Sequence, residues 1–444
     1  MARLFGTDGV RGVANTKLTP ELAFQLGRAA AAVLTQPQER PAILVGKDPR
    51  SSGDMLEAAL AAGMMSNGAQ VISVGIVTTP AVAYLTKHMA VQAGAMISAS
   101  HNQVEDNGIK FFSHDGYKLP DAKEDAIEAY LKQDNDVNTR LTGAGVGSWQ
   151  RNDTAVRLYL NSLRQSIAAT TLDGLHIVLD CANGSASPFA AELFRSVGAK
   201  VTALHATPTG ANINLDCGST HPESLQQAVK QLQADFGFAF DGDADRCLAV
   251  DGSGNLVDGD QIMAMLALHL KQKGRLNKNT LVITVMSNLG LKKAMAEQNI
   301  DLDITAVGDR YVLEAMLDKG YCLGGEQSGH VILTDFSTTG DGMLTGLQIA
   351  ALLKDSKATL REKAEVMSRF PQVLMNCKVE DKQAAMQNAA FCKAVAEETA
   401  VLGERGQVLV RPSGTEQLIR IMVEAEREEE AAAIAKRLSL YLVE

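Results

Sequence analysis

A short polar segment, Ser98-Ala99-Ser100-His101-Asn102, closes an apolar run and opens a loop that would expose the Ser100 hydroxyl. Lys110 can return to this loop, because Asn107-Gly108 is a pair typical of tight turns. Arg11 lies between glycines, which let backbone approach a ligand. A hydroxyl with two cations nearby suits a phosphoryl carrier, and an ordinary loop is the alternative for this segment taken alone.

A second segment, Asp241-Gly242-Asp243-Ala244-Asp245-Arg246, places three carboxylates at alternate positions. Carboxylates in this pattern can converge on one hard cation, and oxygen ligands suit Mg²⁺. An EF-hand calcium loop needs Gly at its sixth position and Glu at its twelfth, where this chain has Arg246 and Gly252. We therefore predict a Mg²⁺ site with a phosphorylated Ser100 as a further ligand, and Arg246 as a partner of the phosphoryl oxygens. A solvated acidic turn is the alternative.

Two more segments could bind a phosphorylated sugar. In Gly324–His330 (GGEQSGH), a Glu and a Ser flanked by glycines could bind sugar hydroxyls, or form an ordinary loop at a strand edge. In Arg411–Glu416 (RPSGTE), hydroxyls and backbone N–H groups around a glycine could form an anion nest, and arginine adds a bidentate clamp. A tight turn between two strands is the alternative there. His101 and His330 lie inside motifs, which makes them candidates for proton transfer or sugar binding.

The bulk composition bounds the class of protein. A chain of 444 residues is too long for one core and predicts roughly three or four domains. The formal net charge of −10 excludes a basic nucleic-acid surface, and no apolar run approaches the ~20 residues of a membrane span. Six scattered cysteines without a C-x-x-C pair predict buried, reduced thiols, and the N-terminus has no secretory apolar segment. We expect a cytoplasmic protein that binds neither nucleic acid nor membrane.

Short apolar runs alternate with helical patterns along most of the chain. The helix after the first of these runs should begin with Ser52 as its N-cap and end just before Gly68. Ser100 and the Asp-rich segment each follow a predicted strand, and catalytic groups of α/β sheets collect at the carboxyl ends of strands. The predicted strands are Ala42–Lys47, Gln70–Gly75, Ala93–Ser98, Leu175–Asp180, Lys200–Leu204, Asp235–Phe240, Leu281–Val285, Asp303–Val307 and Cys322–Gly324.

Breaks in this alternation predict the domain organisation. Gly143–Ser148 is a candidate linker, and beyond Pro371 the order becomes strand, helix, two strands and helix. We predict three similar α/β domains with mainly parallel or mixed sheets, followed by a smaller C-terminal α+β domain. The predicted domains are 1–150 with the Ser100 loop, 151–254 with the metal loop, 255–368 with the sugar loop and 369–444 with the phosphate loop.

Taken together, these segments resemble the signature of the α-D-phosphohexomutase superfamily. The resemblance runs from Phe5 to the end of the chain, with the segments in the family's order. Phe5–Gly12, Gly325–His330 and Val307–Val312 are most similar to the amino-sugar branch. The resemblance implies four domains around one central cleft, the first three α/β and the fourth a smaller, mobile lid.

By position, the resemblance also implies a role for each site residue. Ser100 would be the phosphorylated serine, and the general base stays open among Lys110, Arg11, His101 and His330. The residues that would bind the metal are Ser100, Asp241, Asp243 and Asp245, and those that would bind the transferring phosphoryl group are Arg246, Arg11 and Lys110. The residues that would bind the sugar are Glu326, Ser328 and His330. Those that would bind the phosphate that is not reacting are Arg411, Ser413, Gly414, Thr415 and Arg420.

The implied reaction interconverts glucosamine 6-phosphate and glucosamine 1-phosphate through a phosphoserine and a 1,6-bisphosphate. Glucosamine 1,6-bisphosphate or glucose 1,6-bisphosphate would be the primer, and a small sugar phosphate the partner. The main alternative is the same chemistry on glucose or mannose phosphates. A non-catalytic sugar-phosphate sensor would show a degraded nucleophile or metal loop, and a phosphatase would not need the second phosphate clamp.

Two departures from the family pattern are visible. Gln103 and Gln417 stand where the family usually has proline, which leaves the preceding residues less restricted but removes no chemical group. A homodimer is compatible with the sequence, which does not decide the oligomeric state.

Overall fold

The computed structural model describes residues 3–6, 8–35, 41–132, 141–167, 170–413 and 417–442. The chain forms two compact units. The larger contains Met1–Thr284 and Asp303–Ala364, and the smaller contains Val285–Leu302 and Glu365–Glu444. Among the described residues, the structure has no helix whose length and hydropathy would let it cross a bilayer.

The first sheet of the larger unit has the strand order β1-β5-β4-β2-β3-β6 and is mixed, because β5 runs antiparallel to both of its neighbours. The strands predicted from Ala42, Gln70 and Ala93 are confirmed, the last ending at Ile97. The elements are β1 (Val10–Val13), α1 (Pro20–Leu34), β2 (Ala42–Lys47), α2 (Ser52–Ser66), β3 (Gln70–Ile76), α3 (Thr79–His88), β4 (Ala93–Ile97), β5 (Asp106–Ser113), α4 (Asp121–Lys132) and β6 (Trp149–Arg151).

Three local predictions can be judged in this region. Ser52 is not an N-cap but the first residue of α2, while Gly68 does follow the end of that helix, with φ +87°. The prediction of a turn at Asn107-Gly108 is wrong, because both residues belong to β5 and pair with β1. The Gly143–Ser148 segment leads into β6, which pairs with β3 and so belongs to this same sheet.

Helices α1 and α2 pack closely, because a glycine stands at the contact on each side. A Cβ at Gly27 would lie 2.1 Å from Leu60 O, and a Cβ at Gly63 would lie 2.0 Å from Phe24 O. No larger residue fits at either position without moving a helix. The buried side chains of these helices join those of the sheet in one apolar core.

The second sheet has the order β11-β10-β9-β7-β8, with β7 parallel to β8 and β9, and β10 antiparallel to β9. The strands predicted near His176, Lys200 and Phe236 are confirmed. The elements are α5 (Val156–Ser166), β7 (His176–Asp180), α6 (Ala190–Ser196), β8 (Lys200–Leu204), α7 (Glu223–Leu232), β9 (Phe236–Phe240), β10 (Cys247–Asp251) and β11 (Leu256–Val257).

The third sheet has the order β13-β12-β14-β15, and β12 is parallel to β14. The predicted strand at Asp303–Val307 lies two residues earlier, at Asp301–Thr305. The elements are α8 (Gly259–Gln272), β12 (Thr280–Thr284), α9 (Leu289–Glu297), β13 (Asp301–Thr305), α10 (Asp309–Lys319), β14 (Leu323–Gly325), β15 (Val331–Leu333), α11 (Gly342–Ser356) and α12 (Leu360–Ala364).

The C-terminal segment forms an antiparallel sheet of order β16-β18-β17 covered by helices. Its predicted order of strand, helix, two strands and helix is confirmed, except that Asn388 divides the first helix into two. The elements are β16 (Gln372–Lys378), α13 (Lys382–Gln387), α14 (Ala389–Leu402), β17 (Gly406–Pro412), β18 (Leu418–Ala425) and α15 (Glu428–Ser439).

The predicted fold class is therefore confirmed: three α/β regions with mixed sheets precede a smaller α+β region. All six cysteines are free, as expected, and Cys392 alone among them is exposed rather than buried.

Candidate active site

Ser100 lies in the loop that follows β4, at the carboxyl end of that strand. The expectation of an exposed hydroxyl is wrong, because Ser100 is 2% exposed and its hydroxyl is enclosed by the residues that follow β9. The residue has a φ of +53°, in the left-handed region that L-residues rarely adopt. Its Oγ donates a hydrogen bond of 2.6 Å to Oδ2 of Asp241, which directly follows β9. Nδ1 of His101 lies 3.3 Å from the same Oγ. The fold thus brings together the first two segments that the sequence singled out.

The aspartates of the second segment form a compact acidic group, which we call the Asp triad (Asp241, Asp243 and Asp245). Each offers an oxygen, these oxygens lie within 4.8 Å of one another, and all three residues are buried. Oδ1 of Asp243 and Oδ1 of Asp245 are buried without a hydrogen-bond partner in the described part of the chain. Unpaired carboxylate oxygens aimed at one place form the donor set that a hard divalent cation requires.

The electrostatics of the Asp triad support the same conclusion. Burial, followed by the neighbouring carboxylates of Asp245 and Asp243, raises the pKa of Asp241 well above its ordinary range. Like charges held this close in a buried site repel one another. A bound cation would relieve that repulsion, so the residues present fit a metal ion.

Basic side chains lie next to the Asp triad. Nζ of the buried Lys110, on β5, is 3.0 Å from Oδ2 of Asp243 and 4.0 Å from Oδ2 of Asp245. Although burial opposes it, Asp243, Asp8 and Asp245 raise the pKa of Lys110, which therefore stays protonated. Nε of Arg246 is 3.9 Å from Oδ1 of Asp245.

Arg11 and His101 complete the group around Ser100. Arg11, on β1, binds Asp8 at 2.7 Å and lies opposite Gly108 of β5. Burial, together with the positive charges of Arg246 and Arg11, lowers the pKa of His101 to about 4. The imidazole beside Ser100 is therefore neutral at pH 7.

The sugar loop, Glu326–His330, follows β14 and lies beside the Asp triad. Oε1 of Glu326 accepts a 3.1 Å hydrogen bond from the backbone N–H of Gly308, and Oγ of Ser328 is buried with no partner among the described residues. Nδ1 of His330 is 3.6 Å from Oδ2 of Asp245. Three of the segments predicted from the sequence therefore meet at one place in the larger unit.

The structure adds residues at this place that the sequence analysis missed. Oγ1 of Thr79, at the start of α3, donates a 2.6 Å hydrogen bond to Oδ2 of Asp243. Nζ of Lys118 is 2.6 Å from Oδ1 of Asp8 and also bonds Asp309. Asp8 and Asp309 carried a signal, because they belong to the Phe5–Gly12 and Val307–Val312 segments that supported the resemblance. Thr79 and Lys118 carried none.

Two further residues, Arg50 and Asn214, bond the backbone of the serine loop. Arg50 follows β2, and Asn214 lies between β8 and α7. A polar Arg50 after a predicted buried strand could have been flagged by the strand-end rule. Asn214 lies in no recognisable motif.

The phosphate loop belongs to the smaller unit. Arg411 of β17 lies directly opposite Arg420 of β18 in the strand register, and Nζ of Lys382 donates a 2.8 Å hydrogen bond to the carbonyl oxygen of Ser413. Two guanidinium groups at one register position concentrate positive charge, which suits the binding of an anion. Gly414 and Thr415 lie outside the described residues, so their predicted contacts are not tested.

Sequence models of the phosphoglucomutase/phosphomannomutase family match nearly the whole chain. The alpha/beta/alpha domains I, II and III match residues 2–138, 157–254 and 258–370, and the C-terminal domain matches residues 374–440. The chain therefore belongs to the phosphoglucomutase/phosphomannomutase family, and the predicted resemblance is confirmed.

Individual relatives and solved structures are similar to this chain over nearly its whole length. A phosphoglucosamine mutase of Geobacillus kaustophilus is 53% identical over 439 residues, which cover 99% of this chain and 98% of the relative. Among solved structures, a phosphoglucomutase/phosphomannomutase family protein of Burkholderia thailandensis has a TM-score of 0.81 at 24% identity, covering 99% of this chain and 97% of that chain. An N-acetylphosphoglucosamine mutase of Aspergillus fumigatus, in complex with GlcNAc-6P and magnesium, has a TM-score of 0.71 at 16% identity, covering 99% and 95%. The two structures share the fold of this chain.

Proposed function

We propose that this chain is an intramolecular phosphotransferase that interconverts glucosamine 6-phosphate and glucosamine 1-phosphate. The observation that carries the proposal is the 2.6 Å hydrogen bond from the Ser100 hydroxyl to the Asp triad, with protonated Lys110 beside it. The amino-sugar substrate rests on the full-length similarity to relatives named phosphoglucosamine mutase. The same chemistry on glucose or mannose phosphates is not favoured, because relatives at 51–54% identity over nearly the whole chain are named phosphoglucosamine mutase.

In the proposed reaction, phosphorylated Ser100 is the phosphoryl donor. The bond between phosphorus and Ser100 Oγ breaks as a bond from the free sugar hydroxyl oxygen to the same phosphorus forms. Overall, the proton that this hydroxyl loses is taken up by Ser100 Oγ, which leaves the step as a free hydroxyl. The resulting 1,6-bisphosphate turns over, and its other phosphoryl group returns to Ser100 Oγ. Glucosamine 1,6-bisphosphate or glucose 1,6-bisphosphate would load the serine initially.

Positive charge makes this transfer feasible on a chain whose net charge is −10. Asp241, Asp243 and Asp245 would hold Mg²⁺, which would neutralise charge on the transferring phosphoryl group. Lys110 and Arg246 lie beside the Asp triad and would bind the phosphoryl oxygens. Phosphoryl transfer depends mainly on positioning and charge stabilisation, which this group of residues can supply.

The remaining predicted residues would hold the two ends of the sugar phosphate. Glu326, Ser328 and His330 would bind the sugar near the Asp triad, where Ser328 Oγ lies buried without a described partner. The phosphate that is not reacting would bind Arg411, Arg420 and the loop between them. The opposed arginines support this role, because guanidinium groups side by side can bind several oxygens of one phosphate.

We also propose a cytoplasmic location, since all six cysteines are free, as is usual in a reducing compartment. A homodimer stays a prediction that light scattering of the purified protein would test.

The test of the function compares two substrates. With Mg²⁺ and a bisphosphate primer, kcat/KM for glucosamine 6-phosphate should exceed that for glucose 1-phosphate by ~100-fold or more, about 2.7 kcal/mol of discrimination. If kcat/KM were equal for the two sugars, or higher for glucose 1-phosphate, the proposed mechanism would stand but the amino-sugar substrate would be wrong. If neither sugar phosphate were turned over, the proposal that this chain is a mutase would be wrong.

A further inference from the structure

The carbonyl oxygens of the serine loop are held by one buried guanidinium. The side chain of Arg50 is fully buried, and its Nη2 donates to the carbonyl oxygens of Ser100 at 3.1 Å and of Asn102 at 2.8 Å. Its Nη1 donates to the carbonyl oxygen of Asp106 at 3.1 Å and also to that of Gln103. The bond to Gln103 restrains the position where the family usually has proline. One side chain therefore holds the loop at several points.

Asp48 fixes the guanidinium itself. Its Oδ2 accepts from Nε of Arg50 at 2.9 Å and from the hydroxyl of Ser98 at 2.6 Å. Oγ of Ser98 in turn accepts from the backbone N–H of Ser100 at 2.9 Å. The backbone of Ser100 is thus anchored on its N–H side as well as on its carbonyl side.

A second side chain, from a distant part of the sequence, bonds the same two carbonyls. Nδ2 of Asn214 donates to the carbonyl oxygens of Ser100 and Asn102, at 2.9 Å each. Asn214 follows β8 and itself has a φ of +56°. It is 8% exposed, so these bonds are largely protected from competition by water.

This double attachment coincides with backbone strain. Ser100 has a φ of +53°, and a non-glycine residue in that region costs on the order of 1–3 kcal/mol. Such a conformation persists only when the surrounding structure imposes it. Without the attachment, the backbone would relax and the hydroxyl would leave Asp241.

We propose that Arg50 and Asn214 are positioning residues, which together hold Ser100 in its left-handed conformation and so keep its hydroxyl at Asp241. This inference rests on the proposed function, because it assigns the two side chains to the phosphoryl-carrying serine. Neither side chain is proposed to touch the sugar phosphate; both act through the backbone of the loop.

The test uses Asn214→Ala as its main variant and Arg50→Lys as the second. Asn214→Ala removes one neutral amide, whereas removing all of Arg50 would leave the buried carboxylate of Asp48 without its ion-pair partner and endanger folding. Asn212→Ala is the matched control, because within the described part of the chain the amide of Asn212 bonds only Thr207 and Thr209 of its own loop. Thermal unfolding establishes that each variant is folded.

Two measurements separate positioning from a general loss of structure. Hydrogen exchange of peptides covering 98–104 should become about tenfold faster or more in both variants and stay unchanged in the control. The kcat should fall by about 10–100-fold while KM for the sugar phosphate changes less than about threefold, because a small misplacement of a reacting group costs this much. Unchanged loop exchange, or faster exchange with full kcat, would overturn the proposal.

The exchange measurement does not depend on turnover. A wild-type protein inactive on both sugar phosphates would refute the proposed function. In that case faster loop exchange in Asn214→Ala would still support the attachment, and unchanged exchange would overturn it.

Discussion

Thr79 offers a sharp test of the proposed metal site, because its hydroxyl bonds a carboxylate of the Asp triad. Its Oγ1 donates to Oδ2 of Asp243 at 2.6 Å, and its backbone N–H donates to the carbonyl oxygen of Asp243 at 3.0 Å. Thr79→Val keeps the shape of the side chain and the backbone bond, and removes only the hydroxyl.

The expected effect of Thr79→Val is weaker metal binding. Removing a hydrogen bond that orients a metal ligand typically costs 10–100-fold in metal affinity, or about 1.4–2.7 kcal/mol. Lys110 still contacts the same oxygen, at 3.0 Å, so Asp243 keeps one partner and the loss should lie nearer tenfold. Thr79→Ser retains the hydroxyl and should bind metal within about threefold of wild type.

Two assays measure this change independently. The Mg²⁺ concentration for half-maximal mutase activity should rise about tenfold in Thr79→Val, and Mn²⁺ binding followed by electron paramagnetic resonance should weaken equally. A Thr79→Val protein that is folded and binds Mn²⁺ as tightly as wild type would refute the metal role of Asp243.

Two more predictions concern the carrier serine and a buried acid. Incubation with labelled glucose 1,6-bisphosphate should label the wild type and the Ser113→Ala control but not Ser100→Ala, and labelled Ser100→Ala would place the phosphoryl group elsewhere. Burial raises the pKa of Asp341 to about 6, although it accepts hydrogen bonds from Leu344 N and the Tyr159 hydroxyl. The folded protein binds this proton more tightly than the unfolded chain does. The contribution of Asp341 to the free energy of unfolding is therefore largest below about pH 4 and falls as pH rises to about 6. In urea unfolding, the free energy of unfolding of the wild type should therefore fall by up to about 3 kcal/mol across that range relative to that of Asp341→Asn. If wild type stayed constant or gained stability relative to Asp341→Asn as pH rises, the predicted sign would be wrong.

Sequence patterns predicted nine strands of the three α/β regions and the loops that follow them, but missed β1, β5, β6, β10, β11 and β15. Buried strands such as Ala42–Lys47 appear as continuous apolar runs, and polar residues after them, such as Ser100 and Asp241, must lie at the carboxyl edge of a sheet. The position of β5 as an antiparallel strand could not be predicted in this way. Asn107-Gly108 has the composition of a turn, but both residues pair with β1 and so are part of a strand. Tertiary pairing overrode a local preference there.

Most supporting residues of the site could not be predicted from the sequence for a different reason. Thr79 and Asn214 belong to no motif, and their importance lies in what they touch, whereas Arg50 has its position after a buried strand as a signal. Each bonds residues that are distant in the sequence and come near only on folding. Thr79 and Asp243, for example, are 164 positions apart. A local pattern carries no information about such a partner.

The distances along the chain between bonded residues have a consequence for synthesis. Ser100 and Asp241 are 141 positions apart, and Tyr159 and Asp341 are 182 positions apart. A ribosome adding ~5–20 residues per second would reach Asp241 roughly 7–28 s after Ser100. For most of that interval the nascent serine loop has Arg50 available but not Asn214, which follows Ser100 by 114 positions, and for all of it the loop lacks Asp241. The nucleophile is therefore made long before the carboxylates that surround it, and a chain released early would carry the serine without the site.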